Sequence, residues 1–149
     1  MPHNVSKCPY QCAIRYKVRF TINLSVPMQS ILGNTRKADI TFHATGRICI
    51  SARVSKLLSL SHGDVIDIMQ SNVETYLYVK HRAPIIGRHE GMVFRSNKNG
   101  SHCIASSIKL SRYILQRCGV SDKVRLCCGS PITLAHYGTA LPIIVKYIL

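Results

Sequence analysis

Residues 46 to 68 read Gly46-Arg47-Ile48-Cys49-Ile50-Ser51-Ala52-Arg53-Val54-Ser55-Lys56-Leu57-Leu58-Ser59-Leu60-Ser61-His62-Gly63-Asp64-Val65-Ile66-Asp67-Ile68. The stretch opens with a turn glycine and a short apolar strand, and Ser51 is placed to cap a helix. Val54, Leu57 and Leu58 stand at i, i+3 and i+4, the apolar face of that helix. His62-Gly63-Asp64 then turns the chain into a second strand. A degraded copy follows: Asn99-Gly100-Ser101-His102-Cys103-Ile104-Ala105-Ser106, a helical segment through Tyr113-Ile114-Leu115-Gln116, and Val120-Ser121-Asp122-Lys123-Val124-Arg125-Leu126. One such unit is too small to bury its own apolar faces, whereas two can close around a shared core.

The chain has 149 residues, which fits one domain. We divide it into an arm and long strand (1–37), a first repeat (38–82) and a second repeat (92–149), with a Pro- and Gly-containing linker from Ala83 to Gly91. At 46% hydrophobic and 17% charged residues it can build a core and is not a disordered chain. Twenty Lys and Arg against six Asp and Glu give a formal charge of +14. An excess of that size favours a polyanionic partner, nucleic acid above all. A basic domain without that role is the alternative. Seven cysteines cannot all pair with one another. There is no leader pattern at the start of the sequence, and no run approaches the roughly 18 apolar residues that cross a bilayer. The expectation is a reducing cytoplasmic setting, cysteines used as small hydrophobes, and no membrane partner.

Ile14 to Val26 alternate apolar and polar residues and predict a long strand. Arg15, Lys17 and Arg19 form a basic ladder on one of its surfaces, either phosphate contacts or an ordinary solvated face. Further strands are expected at 40–42, 47–50, 65–69, 75–80, 92–95, 102–105, 124–127, 132–134 and 143–148, the last with Pro142 at its start. Asn97-Lys98-Asn99-Gly100 is hairpin turn chemistry. A second helix is expected to start at Ser106 or Ser107, bury Leu110, Ile114, Leu115 and Cys118, and end at Gly119.

The Gly46-Arg47 turn, the Ile48-Cys49-Ile50 strand, the short helix and the Gly63-Asp64-Val65 turn together resemble the swapped-hairpin DNA-binding family of AbrB, SpoVT and MazE. The likeness covers residues 38 to 69, with a weaker echo over 92 to 127. Ser51 stands where the family usually has proline. In that family two copies from two chains interlock into a barrel. A chain carrying both copies is expected to close one within itself, as in the related cradle-loop and double-psi barrels. The implied fold is therefore mainly β, a pseudo-twofold barrel of two strand–helix–strand repeats with an N-terminal strand extension.

The resemblance also implies a DNA-binding protein, a transcriptional regulator gripping duplex DNA through a basic face. It transfers Arg47 directly and Lys56 by helix position. Arg53, and Lys98 and Arg112 in the second half, join Arg15, Lys17 and Arg19 as candidate phosphate contacts. The other reading is a protein-interaction module, antitoxin-like or an assembly protein, bound to a second copy or a different partner. Enzyme chemistry is not expected: no Gly-x-Ser-x-Gly, phosphate loop or His-Glu-x-x-His is present, and no cofactor is implied. Cys8 and Cys12, with His3 nearby, have the residue types of half a zinc site. Cys127-Cys128 is a poor second pair because strand neighbours point to opposite faces, so no metal is expected. Cys49 and Cys103 are expected at matching, buried repeat positions.

Overall fold

A computed structural model describes residues 37–83, 86–95 and 102–145, all within one unit running from 36 to 149. The long strand at 14–26 with Arg15, Lys17 and Arg19, the turn bearing Lys98, and the His3, Cys8 and Cys12 group lie outside the described residues.

The strands, in chain order, are β1 (Ile40–His43), β2 (Arg47–Ile50), β3 (Val65–Gln70), β4 (Thr75–His81), β5 (Val93–Arg95), β6 (Cys103–Ser106), β7 (Lys123–Cys128), β8 (Ile132–Leu134) and β9 (Gly138–Ile144). Helix α1 (Ala52–Leu57) follows β2 and α2 (Ile108–Cys118) follows β6. The capping expected from sequence holds. The Ser51 and Ser107 side chains accept hydrogen bonds from Val54 N–H and Leu110 N–H, and α2 ends at a left-handed Gly119.

All pairings among the described strands are antiparallel, in the order β3-β4-β9-β7-β1-β2-β6-β5, with β8 beside β9. The two ends of this path then meet. Val65 bridges Met92, Gly63 N–H donates to Val93 O at 2.9 Å, Val93 N–H to Asp64 O at 2.7 Å, and Ile66 N–H to Gly91 O at 2.9 Å. The result is a nearly closed antiparallel barrel, which leaves little strand edge exposed. Exchanging β1 with β5, β2 with β6, β3 with β7 and β4 with β9 turns the list of neighbours into itself, with β8 lacking a counterpart.

Alternation decides which side chains fill the barrel. Ile40 and Phe42 of β1, Ile48 and Ile50 of β2, Cys103 and Ala105 of β6, and Leu126 and Cys128 of β7 point inward and are buried. Val54 and Leu58 from α1 and Ile114 and Cys118 from α2 join the same core. The expected match between Cys49 and Cys103 is corrected here. Cys103 is interior, whereas Cys49 lies on the opposite face of β2 from Ile48 and Ile50 and is half-buried. The inward set of the second repeat is therefore one residue out of step with that alignment.

The last strand is also corrected: β9 begins at Gly138 and carries Pro142 inside it. A strand residue's N and O point to the same side. Pro142 O accepts from Gly129 N–H at 2.8 Å. The missing N–H therefore faces Gly129, where the flank of β9 changes from β8 to β7 and the ladder is at its end.

Two buried carboxylates hold the loops. Asp39 accepts from Cys128 N–H at 2.8 Å and from Arg53 Nη1 at 3.1 Å, joining the start of β1 to the end of β7 and to α1. Asp64 accepts from Ser61 N–H at 2.8 Å, Ala83 N–H at 2.9 Å and Arg82 Nη1 at 3.0 Å. Arg82 then reaches the carbonyls of Leu58 and Ser59 at 2.9 and 2.8 Å, neutralising the C-terminal end of α1.

Closure depends on Gly91. Its φ is +83°, and a Cβ there would lie 2.5 Å from Ile66 O. Gly91→Ala should therefore lower unfolding stability by roughly 1–3 kcal/mol in urea denaturation. An unchanged midpoint would mean that the junction between β3 and β5 contributes nothing.

Candidate nucleic-acid interface

The residues that point away from the core on β7, β1, β2, β6 and β5 form two rows across one curved sheet surface. Register places Arg125 beside Thr41, Thr41 beside Cys49, Cys49 beside Ile104, and Ile104 beside Phe94. One step along the strands, Lys123 is opposite His43 and Arg47 is opposite Ser106, while His43 and Arg47 flank the 44–46 turn. From Arg125 to Phe94 the first row spans four strand spacings, about 19 Å. Arg47, Lys123, Arg125, Ser106 and Phe94 are exposed, and Thr41, His43, Cys49 and Ile104 are half-buried. Cys49 Sγ lies 3.9 Å from His43 Nε2 in the middle of this surface.

The surface is cationic at one end, where exposed Asp122 precedes Lys123 and its carbonyl accepts from Ala44 N–H at 2.7 Å, and other carboxylates are engaged elsewhere. Asp39, Asp64 and Asp67 form ion pairs with Arg53, Arg82 and Lys80. Glu74 takes the Tyr76 hydroxyl. Arg47, Lys123 and Arg125 form no ion pair among the described residues.

Of the candidates read from sequence, Arg47 lies on this surface. Arg53 is half-exposed with its guanidinium committed to Asp39. Lys56 is exposed in the last turn of α1 and Arg112 is exposed on α2. Arg15, Lys17, Arg19 and Lys98 lie outside the described residues. Lys123 and Arg125 were not singled out from sequence. Their alternation with Val124 and Leu126 carried the signal, since a period of two puts both cations on one face. Phe94 and Arg88 were missed because no local pattern marks them.

At the Phe94 end the surface runs into an open cleft of about 640 Å³ lined by Arg88, His89, Glu90, Phe94, Ser106, Ser107 and Ile108. The segment taken from sequence as a linker thus supplies one wall. A smaller cleft of about 290 Å³ adjoins it, sharing His89, Glu90 and Ser107 and adding Asp67, Lys80, His81 and Lys109. Glu90 seals the N-terminus of α2 between them. Its Oε1 accepts from the Ser107 hydroxyl at 2.8 Å and from Lys109 N–H at 3.1 Å. The Ser107 hydrogen bond, then the Lys109 N–H, hold the Glu90 carboxyl below the ordinary carboxylate range. Burial and then the neighbouring Asp67 push the Tyr78 phenol up.

No family model, curated protein or solved structure matches this chain. Among the described residues no cluster of His, Cys, Asp and Glu is arranged to hold a metal ion, and no helix is long and apolar enough to cross a membrane.

A carboxyl whose folded-state pKa is depressed stabilises the fold above its unfolded pKa, and that stability is lost as pH falls through the folded value. Glu90→Gln should therefore be less stable than the parent chain at neutral pH, and the gap should close as acid protonates Glu90. Thermal melts across that range check this. A gap that persists undiminished in acid would show that the charge on Glu90 is not what secures α2.

Proposed function

We propose that this chain is a nucleic-acid-binding protein, an AbrB-like regulator built as a pseudo-twofold barrel of the cradle-loop or double-psi kind. It contacts duplex DNA through the outer face of β7, β1 and β2. The observation that carries the reading is the grouping of Arg47, Lys123 and Arg125 on one sheet face with no carboxylate partner among the described residues. Such a face neutralises phosphates and releases counterions, whatever the base sequence. The formal charge of +14 acts in the same direction by drawing a polyanion toward the protein.

The architectural part of the proposal rests on two features. Each helix follows a hairpin strand through a serine cap, and the strand pairings survive exchange of the two halves. Both features support a reading of two hairpin–helix units closed on each other in one chain, a cytoplasmic regulator without a cofactor.

The second reading, a protein-interaction module, draws on apolar side chains at the β8–β9 end. Ile132, Tyr137 and Ile144 are exposed at 36%, 51% and 52%, and β8 pairs with β9 alone among the described strands. Such an edge can add a strand from a second copy or another protein.

Anisotropy titrations with random duplex DNA at two or more salt concentrations separate the readings. The DNA-binding reading predicts an affinity falling with salt at a log–log slope of about −0.9 per phosphate. Arg47→Ala or Arg125→Ala should each reduce that slope by about 0.9 without lowering the melting temperature appreciably. Salt-independent binding, or lost stability at unchanged affinity, would count against it.

A further inference from the structure

The cleft beside Phe94 differs in chemistry from the cationic end of the face. Phe94 is 38% exposed on the outer surface of β5. Its ring is held in place by an edge contact with His62, centroids 5.3 Å apart at 69°. Ile108, 54% exposed, lines the same cleft, as do Arg88 and Ser106. Arg47 is opposite Ser106 across the β2–β6 pairing, so a cation borders the cleft on the sheet side as well. A flat aromatic ring in a concavity edged by two guanidinium groups suits a group that is planar and apolar on its face and anionic at its rim. A nucleotide is such a group.

A stacked, paired base cannot reach into this cleft, because its faces are covered by its neighbours. An unpaired base can leave the stack and lie on an aromatic side chain. We infer that the cleft receives an unpaired base of a single strand, stacked on Phe94, with the adjoining phosphates on Arg88 and Arg47. The strand then continues along the outer face toward Arg125 and Lys123. Glu90 is bonded to Ser107 and Lys109, so the N-terminus of α2 is already filled by a carboxylate and is not the phosphate site. Ser106 and His89 are polar groups of the cleft lining that can meet a base edge. The inference rests on the proposal that the outer face binds nucleic acid. It goes further in naming a single strand as a second form that the face accepts and Phe94 as the stacking residue.

The test uses the full chain with a single-stranded oligonucleotide of about 12 nucleotides carrying 2-aminopurine, and the duplex of the same sequence, both at low salt. Expected are quenching of 2-aminopurine by the single strand's complex and an affinity loss of roughly 5- to 100-fold for the single strand in Phe94→Ala and Phe94→Leu. Phe94→Trp should retain both binding and quenching. Duplex affinity should change little in all three variants, and matching melting temperatures show that the variants fold. Tight duplex binding with no quenching, or single-strand affinity indifferent to Phe94, overturns the inference and leaves the basic face standing. Failure of the parent chain to bind either form removes the basic-face reading together with it.

Discussion

The antiparallel register between β2 and β6 is the constraint on which the rest of this molecule depends. It brings the two halves together at the centre of the sheet, with Ile48 beside Ala105 and Ile50 beside Cys103 inside the barrel. The same register leaves Arg47, Cys49, Ile104 and Ser106 facing out. A slip of one residue would reverse every one of these positions, placing Arg47 in the core and the isoleucines in water. Burial of each isoleucine contributes about 1.5–3 kcal/mol, so the apolar face fixes where the cations are displayed. The outer surface is thus a consequence of packing: β1 and β7 extend it on one side of the central pair and β5 on the other.

The distribution of acidic groups follows a compatible logic. A chain with so few carboxylates could have scattered them over its surface and blunted its positive field. Instead Asp39 and Asp64 are buried, each accepting main-chain N–H groups as well as a guanidinium. These bonds hold the β1–β7 seam and the turn into β3, where the barrel must be tied. Glu90 is exposed but is occupied at the start of α2. These three acids secure loops and a helix end, while Asp122 stands exposed beside Lys123 at the cationic end of the sheet face. Structural and electrostatic roles are divided between different strands, so a substitution on the outer face can alter charge without disturbing the core.

Much of the barrel was legible in the sequence because local chemistry and tertiary structure agree. Turn residues marked β1, β2 and β3, and serines followed by apolar helical spacing marked both helices. The boundary of β9 was not legible. Pro142 reads as a strand start, and its tolerance inside β9 depends on where β8 ends and β7 begins, a tertiary circumstance. The one-residue offset between Cys49 and Cys103 was hidden for a related reason: short strands of Ile, Cys and Ala do not declare which face is inward until their partners are known. Of the proposed interface, Arg47 stood out through its turn. Lys123 and Arg125 carried a periodic signal that could have been used. Phe94 and Arg88 could not be found from sequence, since only the β5–β6–β2 pairing brings Phe94 into line with the cationic rows. No residue near 86 to 92 advertises that this connection both closes the barrel and walls a cleft.

The central claim is that one outer sheet face, from β7 across to β5, is where nucleic acid sits. Backbone amide NMR of the full chain during titration with an oligonucleotide tests it most directly. The account predicts that the largest shifts cluster on Thr41, His43, Arg47, Cys49, Phe94, Ile104 and Arg125, with the β8–β9 hairpin little affected. Shifts concentrated on Ile132 to Tyr137, with the β1, β2 and β7 amides unmoved, would contradict it.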